Sequence, residues 1–272
     1  MNTNDFRCMR HGVVMQTLTT DDMHNMQPYI YQNTKHNKAI LLLHGFGSSP
    51  AVFRQLIPTL KLLYDKIVIP LLPGHGSNLS DFATSTATQW QLETEQHCAD
   101  LCQEFSNVDL MGLSLGGVLA LNLSMKYAIN HLYLLAPALN LQINLQYMLI
   151  LAKFLKFFGF QYINNNAGTI SKLDSYEIAY YKLPLTTIIE IFTFLKQLQY
   201  LIPNCPIELF LGKHDLVINN KKILDRFHSF NNVNLHWLLH SEHILPLDND
   251  LQLIITALQQ NNTTCHISGS FL

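Results

Sequence analysis

Residues 107–121 read NVDLMGLSLGGVLAL, and this stretch decides the fold. A short apolar run at 108–111 leads into Gly112-Leu113-Ser114-Leu115-Gly116, and an apolar segment at helical spacing follows. That is the order of a buried strand, a tight turn and a helix. A serine at the tip of such a turn presses the residues two before and two after it against neighbouring backbone. A Cβ at either position would clash, so both are glycine. The helix behind the turn aims its free N–H groups and positive dipole end at Ser114, where negative charge can develop. Chance alone would produce about 0.03 such patterns in a chain of this glycine and serine content. Glycines that merely allow close packing are the plainer explanation, but the flanking strand and helix favour a nucleophile elbow.

Working outward, apolar runs bounded by turn residues at 38–44, 66–70, 131–136, 206–212 and 233–239 join the elbow strand, making six. Helical patterns at about 51–63, 87–105, 115–128, 219–230 and 247–260 alternate with them, as expected for a mostly parallel sheet with helices on both faces. The alternation breaks at 139–201. That segment is strand-poor and apolar, with two helices expected at 147–158 and 185–201. The expected organisation is an N-terminal extension (1–27) without clear periodicity, a core (28–138 and 202–260), a helical cap (139–201) and a tail (261–272).

Composition narrows the function classes. Hydrophobic residues make up 48% and charged residues 13%, with a net charge of −2. No basic field exists to hold nucleic acid, so a nucleic-acid partner is not expected. The five cysteines are scattered and read as reduced thiols, with no second pair near Cys98 and Cys102 to complete a zinc site. The N-terminus lacks an apolar signal core, and the apolar run at 147–158 is too short to span a bilayer. A soluble cytoplasmic location is therefore expected, with lipid contact limited to transient touch through the cap. The chain leaves monomer and homodimer equally open.

A serine hydroxyl needs a base and a group to orient that base. In sheets of this type both ride on loops after strands, in the chain order nucleophile, acid, histidine. After the 206–212 strand the first carboxylate is Asp215, whose competing reading is a cap for the next helix. After the 233–239 strand come His240 and His243; the latter, out in the loop, is favoured as the imidazole that can turn back over the elbow. The oxyanion donors expected are the backbone N–H groups of Leu115 and of Phe46, in the loop after the first buried strand. His44 and His75 read as structural histidines.

With LLLHGFGSSP, PGHGSN, GLSLGGV, GKHD and HILPLD in this order, the chain resembles the α/β-hydrolase superfamily, and within it the small bacterial carboxylesterases and monoacylglycerol lipases. The resemblance covers about 39–260. It implies an α/β-hydrolase fold, with a doubly wound, mostly parallel sheet and a small helical cap inserted after the sixth strand. It also implies a Ser114–Asp215–His243 triad, and Phe46 and Leu115 as oxyanion donors. Two departures stand out: Glu242 where the family usually has glycine before the histidine, and a longer N-terminal arm.

The activity expected is hydrolysis of short-to-medium acyl esters through an acyl-enzyme, with monoacylglycerols among the candidates and no metal or organic cofactor. Phe46, Leu115, Leu149, Phe154 and Ile188 are the candidate walls of the acyl slot. Thioesterase, methyl-ester esterase and acyltransferase chemistry on the same triad stay open at this point, as does a non-catalytic binding module.

Overall fold

Strand pairing explains most of the architecture in the computed structural model, which describes residues 2–34, 37–198 and 201–263. In chain order the first elements are β1 (Phe6–Arg10), β2 (Val13–Gln16), α1 (Thr20–Asn25) and β3 (Tyr29–Gln32). The core then runs through β4 (Lys38–Leu43), α2 (Ile57–Leu63), β5 (Lys66–Ile69), α3 (Leu79–Thr84), α4 (Ala87–Glu104), β6 (Asn107–Leu113), α5 (Leu115–Ser124) and β7 (His131–Leu135). The inserted segment holds α6 (Leu145–Phe157), β8 (Tyr162–Asn164), β9 (Glu177–Tyr180), β10 (Lys182–Pro184) and α7 (Leu185–Gln197). The chain closes with β11 (Ile207–Gly212), α8 (Asn220–Phe227), β12 (Val233–Leu238) and α9 (Leu251–Thr263).

Seven strands form the main sheet in the order β12-β11-β7-β6-β4-β5-β3. All pairings are parallel except β3 with β5. β4 and β11 are buried along their whole length, which is why each is a nearly unbroken apolar run. The chain passes from β4 out to β5, then crosses back to lay β6 on the other side of β4. Strand order therefore reverses between β4 and β6, and the carboxyl ends of such a pair leave a crevice open for ligand.

Several expectations are corrected. β3 is a seventh strand, missed because its four residues alternate half-buried and exposed at the sheet edge. The insertion follows β7, which is the fifth strand of the main sheet in chain order and not the sixth, with only β11 and β12 coming after it. The insertion carries three short strands besides its two helices. The expected N-terminal extension without periodicity holds regular structure instead: β1 and β2 form a hairpin, and β1 pairs antiparallel with β9 from Phe6↔Tyr180 to Met9↔Glu177. Phe6, Cys8, Met26, Phe82, Ile178 and Tyr180 make a second core beneath this three-stranded sheet. The 185–201 helix ends at Gln197, and residues 199–200 lie outside the described residues. α9 runs into the expected tail, of which residues 264–272, Cys265 included, lie outside the described residues.

Candidate active site

The crevice between β4 and β6 holds the serine. Ser114 sits between β6 and α5 with φ 53° and ψ −113°, a left-handed conformation that a non-glycine residue adopts only when its surroundings force it. Here they do. Its N–H donates to the Leu135 carbonyl at 3.0 Å, and its carbonyl accepts from Gly117 and Ala138, each at 3.0 Å. A Cβ on Gly112 would lie 2.2 Å from the Gly116 carbonyl oxygen, and one on Gly116 would lie 1.9 Å from that of Leu43. Both glycines are thus obligatory for the turn to pass between β4 and β6.

Gly45 brings the loop after β4 alongside: a Cβ there would contact the Ser114 Cβ at 3.4 Å. His44 holds this loop. One ring nitrogen lies 2.9 Å from the Gly45 carbonyl, and the other accepts the Leu72 N–H at 3.1 Å. Burial, opposed only by the Gly45 contact, lowers its pKa to about 4, so it stays a neutral structural group. The Phe46 ring leans on Phe82 and Trp90, with centroids 5.2 and 6.1 Å apart.

Asp215 follows β11 and His243 follows β12. The Asp215 Oδ1 accepts the N–H groups of Val217 (2.7 Å) and Ile218 (3.0 Å). Its Oδ2 accepts from His243 Nδ1 at 2.7 Å. Capping of α8 falls to Asn219, which accepts from the Lys222 N–H, so Asp215 is free of that duty. The two loops are pressed together because β11 ends in Gly212, where a Cβ would meet the Glu242 carbonyl oxygen at 2.0 Å.

With Nδ1–H committed to the carboxylate, the neutral imidazole leaves Nε2 as the proton acceptor. Burial works against the His243 cation. The Asp215 charge and hydrogen bond, with the Glu177 charge behind them, outweigh it and raise the pKa above its ordinary value. His240 is exposed, with its backbone N–H bound to Asp250.

Ser114 and His243 open into one cavity of about 520 Å³. That is within the range of about 300–1,000 Å³ usual for small-molecule sites. Its walls are mostly apolar, with Met148, Leu151, Ala152 and Leu155 from α6 facing Ile188, Ile191 and Leu195 from α7. Of the candidate acyl-slot residues, Phe46 and Ile188 border the cavity. Leu115, Leu149 and Phe154 do not. The Leu115 side chain is buried in the main core, while Leu149 and Phe154 fall off the 148-151-152-155 face of α6, with Phe154 57% exposed.

One polar group at the cavity went unread in the sequence: Glu177, on β9, buried with an oxygen accepting the Gly168 N–H at 2.9 Å. Burial raises its pKa; Ser48, the Gly168 N–H, His243 and Arg54 pull the other way. Asn165, Asn166 and Thr169 border the same end. The only available signal was a lone acid in the alternating run YEIAY.

A family model described as the alpha/beta hydrolase family matches residues 40–253. The chain is 25% identical over 222 residues to a thermostable monoacylglycerol lipase of Bacillus sp. (strain H-257), covering 79% of this chain and 86% of that protein. Among solved structures, one reported for the metagenome-derived lipolytic enzymes LipS and LipT superposes with a TM-score of 0.77 at 22% identity, over 88% of this chain and 98% of that one. The monoacylglycerol lipase of Paleococcus ferrophilus superposes with a TM-score of 0.65 at 16% identity, over 86% of this chain and 98% of that one. At such identities these structures establish a shared fold.

Proposed function

The chain belongs to the alpha/beta hydrolase family, and from that premise we propose that it is a serine carboxylesterase acting on esters of short-to-medium apolar acyl chains. One observation carries the reading. An imidazole fixed by a carboxylate at 2.7 Å shares an apolar cavity with a serine held at φ 53° on a strand-to-helix turn.

In the reaction, Ser114 Oγ attacks the ester carbonyl carbon while its proton passes to His243 Nε2. Asp215 keeps Nδ1–H in place and stabilises the imidazolium. The N–H groups of Phe46 and Leu115 receive the oxyanion. Collapse breaks the bond to the alcohol, which leaves with the proton from His243. Water then attacks the acyl-enzyme, gives its proton to His243, and the acid departs as the proton returns to Ser114. No metal or organic cofactor takes part.

The apolar walls suit the acyl chain, and Glu177 suits hydroxyls on the alcohol side. The carboxylate accepts the Gly168 N–H and lies beside the Ser48 hydroxyl, and its remaining lone pairs keep acceptor capacity toward the cavity that it borders. Monoacylglycerols combine both features and are the substrate class proposed.

Transient lipid contact through the cap belongs to the same reading. Tyr147, Ile150, Phe154, Phe157 and Phe158 form an exposed apolar face beside Lys153 and Lys156. Ile143, Leu151 and Ile163 are exposed and also line the cavity, so its mouth opens on that side. No helix among the described residues is long and apolar enough to cross a membrane.

Ser114→Ala should abolish hydrolysis of p-nitrophenyl esters and labelling by a fluorophosphonate while circular dichroism stays unchanged. Turnover near that of the parent protein would overturn the assignment. A chain-length series should peak above acetate.

A further inference from the structure

Two features of the sequence that the hydrolase reading leaves unused, Glu242 and the N-terminal hairpin, meet beside the histidine loop. His11 and Gly12 are the two-residue tip between β1 and β2, both left-handed at φ 50° and 73°. The tip docks by backbone: His11 N–H donates to the Gly168 carbonyl at 2.8 Å and Gly12 N–H to that of Ala167 at 2.9 Å. The fit is close, since a Cβ on Gly168 would lie 2.0 Å from the Met9 carbonyl oxygen. The next residue along, Thr169, offers its carbonyl to the N–H groups of both His243 and Ile244, each at 3.2 Å.

Side chains tie the same three segments together. His11 Nε2 donates to the Ile170 carbonyl at 3.0 Å and stands 3.2 Å from a carboxylate oxygen of Glu242. The other Glu242 oxygen accepts the Ser171 hydroxyl at 3.0 Å. Asp248 closes the stack, accepting the N–H groups of Ser171 (3.0 Å), Lys172 (2.9 Å) and Glu242 (2.8 Å). The Glu242 side chain is 12% exposed and borders a different recess from the one that Ser114 and His243 line.

We propose that His11 and Glu242 are positioning residues for His243: together they clamp the 168–171 segment, on whose Thr169 carbonyl the backbone of the histidine hangs. The catalytic consequence rests on the serine-hydrolase reading; the clamp itself does not. The exposed half of the His11–Glu242 pair is screened by water, so its worth is in geometry and not in charge. An imidazole displaced by about 1 Å from its reacting partner can cost up to about 10²-fold in rate. Releasing one of several restraints should cost about tenfold.

The test uses the full chain with His11→Ala, His11→Gln, Glu242→Ala and the His11→Ala/Glu242→Ala double variant, below their unfolding midpoints. Steady-state hydrolysis of a soluble p-nitrophenyl ester is measured alongside amide hydrogen exchange in peptides covering 240–246. Each alanine variant should lower kcat about tenfold with KM unchanged and speed exchange at His243 and Ile244. The double variant should be no worse than the weaker single, and glutamine, which keeps a donor, should recover most of the loss. Parent-like kcat and exchange in His11→Ala would overturn the proposal. So would additive losses with no rescue by glutamine, the mark of a hairpin that contributes only bulk stability. Exchange that responds as expected in a parent protein without esterase activity would strike the hydrolase reading alone and uphold the clamp.

Discussion

Ser114 concentrates the physics of the site at the scale of one residue. Its backbone lies where a side chain costs roughly 1–3 kcal/mol. Ser114→Gly should therefore melt higher than Ser114→Ala by differential scanning calorimetry, both being inactive. On the proposed mechanism the raised pKa of His243 should set the acid side of the pH profile. Protonated imidazole cannot take the serine proton, so kcat/KM should rise with pH through that raised value. For stability the sign is opposite: the protonated form stabilises the fold fully below the unfolded value of about 6.5 and loses this as pH climbs through the folded value. Asp215→Asn removes the largest raising influence, leaves burial dominant, and should move the kinetic limb to lower pH while cutting kcat about 10⁴-fold. Glu177→Gln should raise KM for a monoacylglycerol about tenfold, the scale of one hydrogen bond to a charged group, with little change for p-nitrophenyl butyrate. Ser114, Asp215 and His243 could be picked out as candidates because a motif and a chain-order rule single them out, and the structure brings Ser114 and His243 to one cavity with Asp215 on His243. Glu177 could not, because nothing local distinguishes a buried acid in YEIAY from a solvated one. It is buried in the fold, with the Gly168 N–H on its carboxylate and β1 paired alongside β9.

At the scale of elements, the cap explains where sequence reading loses resolution. α6 is apolar on nearly every side, so its pattern does not reveal which face meets the cavity. Packing against α7 chose Met148, Leu151, Ala152 and Leu155, leaving Phe154 and Phe157 outside. α7 is anchored at its start by Thr186 and Thr187 hydroxyls on the Ala83 and Phe82 carbonyls, both at 2.7 Å. Its Glu190 accepts the first N–H of α4 at 2.9 Å. Among the described residues the exposed face of α6 has no such ties. A Phe154→Ser/Phe157→Ser variant should bind anionic vesicles at least tenfold more weakly, since each buried phenyl is worth about 1.5–3 kcal/mol. Turnover of a soluble short ester should hold. Unchanged vesicle binding by flotation would count against docking through this face.

For the whole molecule, the strands buried on both faces were readable because an unbroken apolar run has few other meanings, whereas their order in the sheet was not read from the sequence. The N-terminal hairpin was not, since β2 is fully exposed and β1 shows its buried side only once β9 lies next to it. Phe6 is 1% exposed under that sheet, against Tyr180 at 4.3 Å between ring centroids. Phe6→Ala should cost about 3–5 kcal/mol, a large share of the roughly 5–15 kcal/mol that holds a domain together, and chemical denaturation would read it as a lowered midpoint.

The pairing of the first strand with β9 also carries a consequence for biogenesis. On a nascent chain β1 leaves the ribosome well before the strand that satisfies it, since Phe6 precedes its partner Tyr180 by 174 residues. Contacts so distant along the chain form slowly. During that wait the hairpin is an unprotected edge, open to the wrong pairing that chaperones prevent.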